Sequence, residues 1–484
     1  MRKSIDTKFA YIFLSILIPS ISFFLFEGRV EYEANLTLSI IIFCLILWVS
    51  EIAPLSMIAI LGIILSVLFG INDIKDAFSG FSNPVILLMI GSFLLALAIN
   101  KHGLDRRISM YVLSFRLFSR SVFSVLVGLA VLTFILSMWL SNTATTAMML
   151  PIALGVLKLL RQDTEDFKLF SALFLLTIAY SASLGGIGTV VGSPTNLVGL
   201  GFLSQEGVHI TFLKWSAFTL PIALLSLFFL LLYVWLKGGR MVHHVEKDAL
   251  LQTILKERGS LGKLSKEEVV VGVVFLLAVF LWVLPSLVLI FGHESFSKSI
   301  VKYIPESSVA ILCSSLLFLI PTNMKNFKPV LELEDLKSID WDTVLLFAGG
   351  LSLGKLVEKS GLAKVIGDTF TGMFNQESIL LFFLLLIVLV IVATEVISNT
   401  ATAITFIPVV IYSLKSLNLD IVPPVMAVIV AASFAFVLPV STPPNAIVYG
   451  TKMVPIRTMI KTGIILDIVG GVIIFIFLNL FRSG

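Results

Sequence analysis

Cysteine is nearly missing from this chain. Cys44 and Cys313 are the only two in 484 residues, and both lie inside apolar runs, which excludes a disulfide framework and a cysteine-based metal site. All five histidines (102, 209, 243, 244 and 293) fall in expected loops, so a zinc-dependent intramembrane hydrolase lacks ligands and no enzyme is expected. Charge is scarce as well. Only 13% of residues are charged against 58% hydrophobic, with a mean hydropathy of +1.05, which excludes a water-soluble fold. The formal charge of +4 comes from Lys and Arg spread along loops, not gathered on one face, so nucleic acid is not an expected partner.

What the chain has in abundance is apolar length. Fifteen apolar runs follow one another, beginning with Phe9 to Phe26 and ending with 459–481. The first follows Met1-Arg2-Lys3 but lacks an Ala-x-Ala cleavage pattern and precedes many more spans, so it is expected to be a retained first helix. Two pairs of runs carry a polar tetrapeptide between them, Ser141-Asn142-Thr143-Ala144 and Ser398-Asn399-Thr400-Ala401. Segments 122–160 and 379–414 are therefore read as helix-turn-helix hairpins that enter and leave by one side. Such a shape is tolerated only inside protein or beside a water-filled cavity. The expectation is an all-α polytopic membrane protein with eleven transmembrane helices and two re-entrant hairpins. An N-terminus in the cytoplasm then places 24 of the 34 Lys and Arg on that side, including those of the linker 237–266, and puts the C-terminus outside.

The tetrapeptides stand 257 residues apart, and other landmarks repeat at nearly that interval. Gly91 to Ile108, with Lys101, Gly103 and Leu104, aligns with Gly349 to Ile366, with Lys359, Gly361 and Leu362; Ser193-Pro194-Thr195-Asn196 aligns with Thr442-Pro443-Pro444-Asn445. The chain divides into an N-terminal helix outside the repeat (1–35), a first repeat (36–236), a linker (237–266) and a second repeat (267–484). Each repeat holds five crossings and a hairpin, and an odd number of crossings turns the second upside down. Inverted repeats place binding sites near the midplane, where the halves meet.

Ser, Thr and Asn bring neutral oxygens and N–H donors to these islands, while Gly192, Pro194, Pro443 and Pro444 interrupt helices. Interrupted helices present N-termini to anions and C-terminal carbonyls to cations. No Arg or Lys lies in either tetrapeptide or in 192–196 and 441–445, so an anion would depend on amides, hydroxyls, helix ends and a bound cation, for which oxygen-only ligands suit a hard ion. Ser137 and Thr394 stand four residues before the tetrapeptides, on the same helix face one turn away. Such hydroxyls complete an oxygen cage or bond their own i−4 carbonyl; their register with both repeats favours the cage. Glu395 has Met138 as its counterpart and reads equally as an ion group or as a structural partner of a helix end. Segments 103–118 and 361–374 read as amphipathic interfacial arms or as ordinary loop helices. Polar residues gathered at one level favour a carried site over a channel.

The two Ser-Asn-Thr motifs, their hairpins and the stretch Ser433-x-x-Phe436-x-x-Pro439-Val440-Ser441-x-x-x-Asn445-x-Ile447-Val448 resemble the divalent-anion:sodium symporter family, carriers of dicarboxylates, citrate or sulfate. The resemblance spans nearly the whole chain. It implies sodium as coupling ion, with one site at Ser137, Ser141, Asn142 and Gly192 and its inverted partner at Thr394, Ser398, Asn399 and Ser441. It implies that Asn142, Thr143, Ser193, Asn399, Thr400, Thr442 and Pro443 grip the substrate. It further implies symport of a C4-type dicarboxylate (succinate, malate or fumarate) by an elevator movement in a homodimer within the lipid bilayer of a prokaryotic plasma membrane. A sodium-independent dicarboxylate or tricarboxylate exchanger is the alternative, although hydroxyls at both 137 and 394 favour symport. Position 441 departs from the pattern, which would place there a smaller residue lending only its carbonyl.

Overall fold

A backbone inside apolar surroundings must satisfy its own hydrogen bonds, so the apolar runs become helices. The computed structural model describes residues 5–114, 121–160, 164–239, 258–323, 327–374 and 378–482. The first half runs α1 (Ile5–Phe26), α2 (Tyr32–Ser50), α3 (Leu55–Leu68), α4 (Pro84–Lys101), α5 (Leu104–Leu113), α6 (Val122–Ser137), α7 (Asn142–Leu159), α8 (Glu165–Ile187), α9 (Pro194–Gln205) and α10 (Phe212–Val234). The second runs α11 (Lys266–Ile290), α12 (Glu294–Tyr303), α13 (Glu306–Leu319), α14 (Trp341–Lys359), α15 (Leu362–Met373), α16 (Ile379–Thr394), α17 (Asn399–Ser416), α18 (Val422–Ala431), α19 (Pro443–Gly450) and α20 (Ile456–Arg482). Among the described residues the only strands are a two-stranded ribbon at Pro321–Asn323 and Lys328–Pro329. Most of the expected linker 237–266 lies outside the described residues, as does the end of the first expected arm.

Seven described helices are long and apolar enough to cross a membrane alone, and the pair α12 and α13, bent by 55°, is a broken eighth span or a re-entrant loop. The expected eleven would need α3, α14 and α18 as well, which length and composition alone do not mark as spans. One expected run breaks. The apolar stretch 421–440 is helical only to Ala431, whereas its counterpart α8 runs unbroken for 23 residues. The unwound backbone that follows is not orphaned, because side chains collect its polar groups. Thr394 donates to the Ala432 carbonyl (2.7 Å), Tyr180 to that of Phe436 (2.6 Å) and Asn445 to those of Ala435 and Leu438 (both 3.0 Å), while Glu395 accepts from the amides of Val437 and Leu438.

The packing of the halves repeats. Exchanging them carries the contact of α4 with α13 into that of α14 with α3, α6 with α8 into α16 with α18, and α8 with α10 into α18 with α20, while α10 and α20 pack on each other. The repeated glycines have a reason. A Cβ on Gly91 would stand 2.7 Å from the Ala310 methyl, and one on Gly349 2.7 Å from the Ala59 methyl, so both helix crossings require small residues on both helices. Gly103 and Gly361, with φ of 71° and 79°, provide the left-handed turn into α5 and α15. Even the repeated lysines correspond: Lys101 pairs with Asp335 (2.6 Å) and Lys359 with Asp76 (2.7 Å).

The arm α5 is anchored by one buried ion pair. Arg107 donates to both Glu268 oxygens (2.6 and 3.0 Å) and to the carbonyls of Leu261 and Gly262 (both 3.0 Å). Arg107→Ala leaves the Glu268 carboxylate covered and uncompensated, a cost of about 3 kcal/mol. The expected result is an unfolding temperature lowered by several degrees in detergent; a midpoint matching wild type would contradict this anchoring.

Candidate functional site

Each hairpin tip is a short break between two helices, with its serine as the cap. Ser141 Oγ accepts from the Ala144 amide (3.5 Å) at the start of α7, and Ser398 Oγ from the Ala401 amide (3.2 Å) at the start of α17. The next residue reaches back one turn. Ser137 donates to Asn142 Oδ1 (2.7 Å), and the single Thr394 hydroxyl proton is shared between Asn399 Oδ1 (2.8 Å) and the Ala432 carbonyl (2.7 Å). The i−4 carbonyl alternative for these two hydroxyls is therefore not what the structure holds; both are tied to the tetrapeptide asparagines.

Behind each tip lies the loop of the following helix pair. In the first half, Thr189 donates to the Met138 carbonyl, and Asn196 donates to the carbonyls of Gly186 and Thr189 (both 2.8 Å). A Cβ on Gly192 would stand 2.7 Å from the Gly186 oxygen and 2.9 Å from the Met138 oxygen, which places residue 192 directly against the first tip. In the second half, Asn445 performs the matching clamp on Ala435 and Leu438, and Ser441 donates its one hydroxyl proton to the Glu395 carboxylate (2.5 Å), with the Glu395 backbone carbonyl 3.1 Å away. The Ser441 hydroxyl is thus taken by Glu395, leaving its carbonyl as the group such a site can use, so the departure at this position does not alter the ligand the backbone offers.

The two halves meet crosswise. Helix α7, which begins at Asn142, packs against α19, which begins at Pro443 with Thr442 as its cap; helix α17, which begins at Asn399, packs against α9, which begins at Pro194 after Ser193. Each Ser-Asn-Thr motif is therefore on a helix packed against the interrupted helix of the opposite half. Ser193, Thr195, Asn196, Thr442 and Asn445 are buried. The half-buried Thr143 and Thr400 make no side-chain hydrogen bond within the protein among the described residues. Four helix N-termini, each a positive dipole end, thus belong to the elements that meet here; α19, which opens on Pro443-Pro444 and whose Asn445 amide is capped by Thr442, brings its dipole without a free amide.

Three residues escaped sequence reasoning as contributors. Asn196 and Asn445 align across the repeat but were read only as landmarks, although each holds two loop carbonyls in place. Gly186 lies directly beneath the Asn142 amide, where a Cβ would stand 2.8 Å from Nδ2. Its signal, a Gly-Gly pair inside an apolar run, is too common to single out.

Duplicated hairpins and interrupted helices around buried neutral polar groups define a membrane transporter, not an enzyme. The sodium:sulfate symporter transmembrane region matches residues 6–483, and the chain belongs to this family, the divalent-anion:sodium symporters. Relatives similar over nearly the full length include an uncharacterized transporter of Haemophilus influenzae, 32% identical over 448 residues, 92% of this chain and 91% of that one. A sodium-dependent dicarboxylate transporter, SdcS, of Staphylococcus saprophyticus is 31% identical over 436 residues, 88% and 82% of the two chains; its namesake in Staphylococcus aureus is 32% identical over 438 residues, 89% and 82%. The YdaH transporter of Alcanivorax borkumensis shares the fold, with a TM-score of 0.58 at 16% identity over 86% of this chain and 89% of that one.

Proposed function

We propose that this chain is a sodium-coupled symporter of a C4-type dicarboxylate such as succinate, malate or fumarate. The observation that carries the reading is the matched pair of hydroxyl-to-asparagine bonds, Ser137 to Asn142 and Thr394 to Asn399, because each groups hard oxygen ligands at a hairpin tip. One sodium is held by Ser137, Ser141, Asn142 and the carbonyl of Gly192, the other by Thr394, Ser398, Asn399 and the carbonyl of Ser441. The dianion is held by Asn142, Thr143 and Ser193 from the first half and by Asn399, Thr400, Thr442 and the Pro443 region from the second. The repeats are 36–236 and 267–484.

Coupling follows from charge. A dianion brought into a buried site without Arg or Lys carries a large desolvation cost that neutral donors offset only in part. Two cations beside the asparagines supply the missing charge, so substrate affinity depends on sodium and the two fluxes are linked. Such a carrier works by alternating access. An elevator movement of the hairpins, α8, α9, α18 and α19 against α3, α4, α13 and α14, in a homodimer of a prokaryotic plasma membrane with the N-terminus cytoplasmic and the C-terminus extracellular, completes the proposal.

The test is uptake of labelled succinate into proteoliposomes with and without an inward sodium gradient. Symport gives uptake that needs sodium and no internal anion. Uptake that ignores sodium but requires an internal dicarboxylate would replace symport with exchange.

A further inference from the structure

We infer that Glu395 is a positioning residue for the second cation site, acting through Ser441 and the unwound segment 437–441. The inference rests on the sodium-coupled reading above. Glu395 follows Thr394 at the end of α16 and is 8% exposed. A carboxylate so covered is costly unless hydrogen bonds satisfy it. Three do: the Val437 amide (2.9 Å), the Leu438 amide (3.1 Å) and the Ser441 hydroxyl (2.5 Å). All three donors lie on the same unwound segment, so one side chain of the hairpin tip fixes where that segment runs. On its other flank the Tyr180 hydroxyl of α8 is committed to the Phe436 carbonyl.

The first half explains why only one tip needs this strut. Its helix α8 stays wound to Ile187, the matching residue is Met138, and one hydroxyl, from Thr189, joins the loop to the Met138 carbonyl. In the second half the helix stops at Ala431, leaving amides that helix geometry no longer satisfies, and an acceptor with two oxygens is what they require. Charge-assisted bonds to amides are the stronger kind, so the carboxylate holds the Ser441 backbone more firmly than a neutral side chain can. Glu395 does not touch the substrate in this account; it sets the geometry of a ligand to the cation.

The test is sodium activation of succinate uptake in proteoliposomes for wild type, Glu395→Gln, Ser441→Ala and the double variant. Glutamine keeps the length and one acceptor oxygen but turns an amide donor toward other donors. The expected result is a half-saturating sodium concentration raised about tenfold in Glu395→Gln, with the succinate KM at saturating sodium within about twofold of wild type. Ser441→Ala gives a smaller rise, and the double variant is no worse than Glu395→Gln, since both remove the same strut. A Glu395→Gln activation curve superimposed on wild type, or a lower maximal rate at unchanged half-saturating sodium, overturns the inference. Should Glu395→Gln not be recovered folded, Ser441→Ala decides: a rise of about threefold supports the strut, and an unshifted curve overturns it. Wild type indifferent to sodium overturns the symport reading itself, whereas sodium-dependent wild type with an unshifted Glu395→Gln overturns only this inference.

Discussion

Asn142→Ala and Asn399→Ala each abolish transport while leaving the chain folded and inserted. Neither asparagine caps its helix: Ser141 and Ser398 do, and alanine is the better helix former at the first helical position. The substitution therefore removes function without removing the hairpin. What it removes is an amide whose oxygen faces the neighbouring hydroxyl and the proposed cation while its N–H donors remain for a carboxylate. Loss of one hydrogen bond to a charged group costs about 1.5–3 kcal/mol, and loss of two such contacts brings uptake down by roughly a hundredfold or more. Measured uptake near wild type in both variants would take the tetrapeptides out of the mechanism.

Gly186→Ala should be nearly as damaging, although it alters no ligand. Alanine in the interior of α8 would by itself strengthen the helix, by about 1 kcal/mol over glycine. Its methyl, however, would lie 2.8 Å from Asn142 Nδ2 and 2.9 Å from Cγ, closer than real side chains approach, and against the backbone of a packed helix it has nowhere to go. The Asn142 amide must turn away from Ser137, so sodium-dependent uptake falls toward that of Asn142→Ala while the unfolding temperature holds. Gly155→Ala, on α7 with open space around it, is the control and keeps wild-type uptake. Equal uptake by Gly186→Ala and Gly155→Ala would show that the amide orientation seen here is not required.

Much of this was legible beforehand because the repeat is written in residues with strict steric duties. Gly91 and Gly349 permit close helix crossings, Gly103 and Gly361 turn the chain into an arm, and Pro194 and Pro443 restart helices; each type is hard to replace, so the duplication survives in the letters. Hairpin limits agreed to within a few residues, since α6 and α7 span Val122 to Leu159 and α16 and α17 span Ile379 to Ser416. The break after Ala431 was not legible. Its residues to Val440 are almost all apolar, and hydropathy cannot register that Thr394, Tyr180 and Glu395, distant in sequence, together with the nearby Asn445, take over the backbone hydrogen bonds. Glu395 stayed ambiguous for the same reason: two of its three partners are main-chain amides, which leave no signature in a sequence, and the third, Ser441, is 46 residues away. The crosswise packing of α7 on α19 and α17 on α9 is likewise a property of the assembled halves.

The central claim is that two halves build a single pocket, and the number of dicarboxylates bound per chain tests it most directly. Calorimetric titration of purified protein with succinate in saturating sodium is expected to give one site per chain, lost in Asn142→Ala and lost equally in Asn399→Ala. Two sites per chain, with each substitution removing one and sparing the other, would contradict a shared pocket.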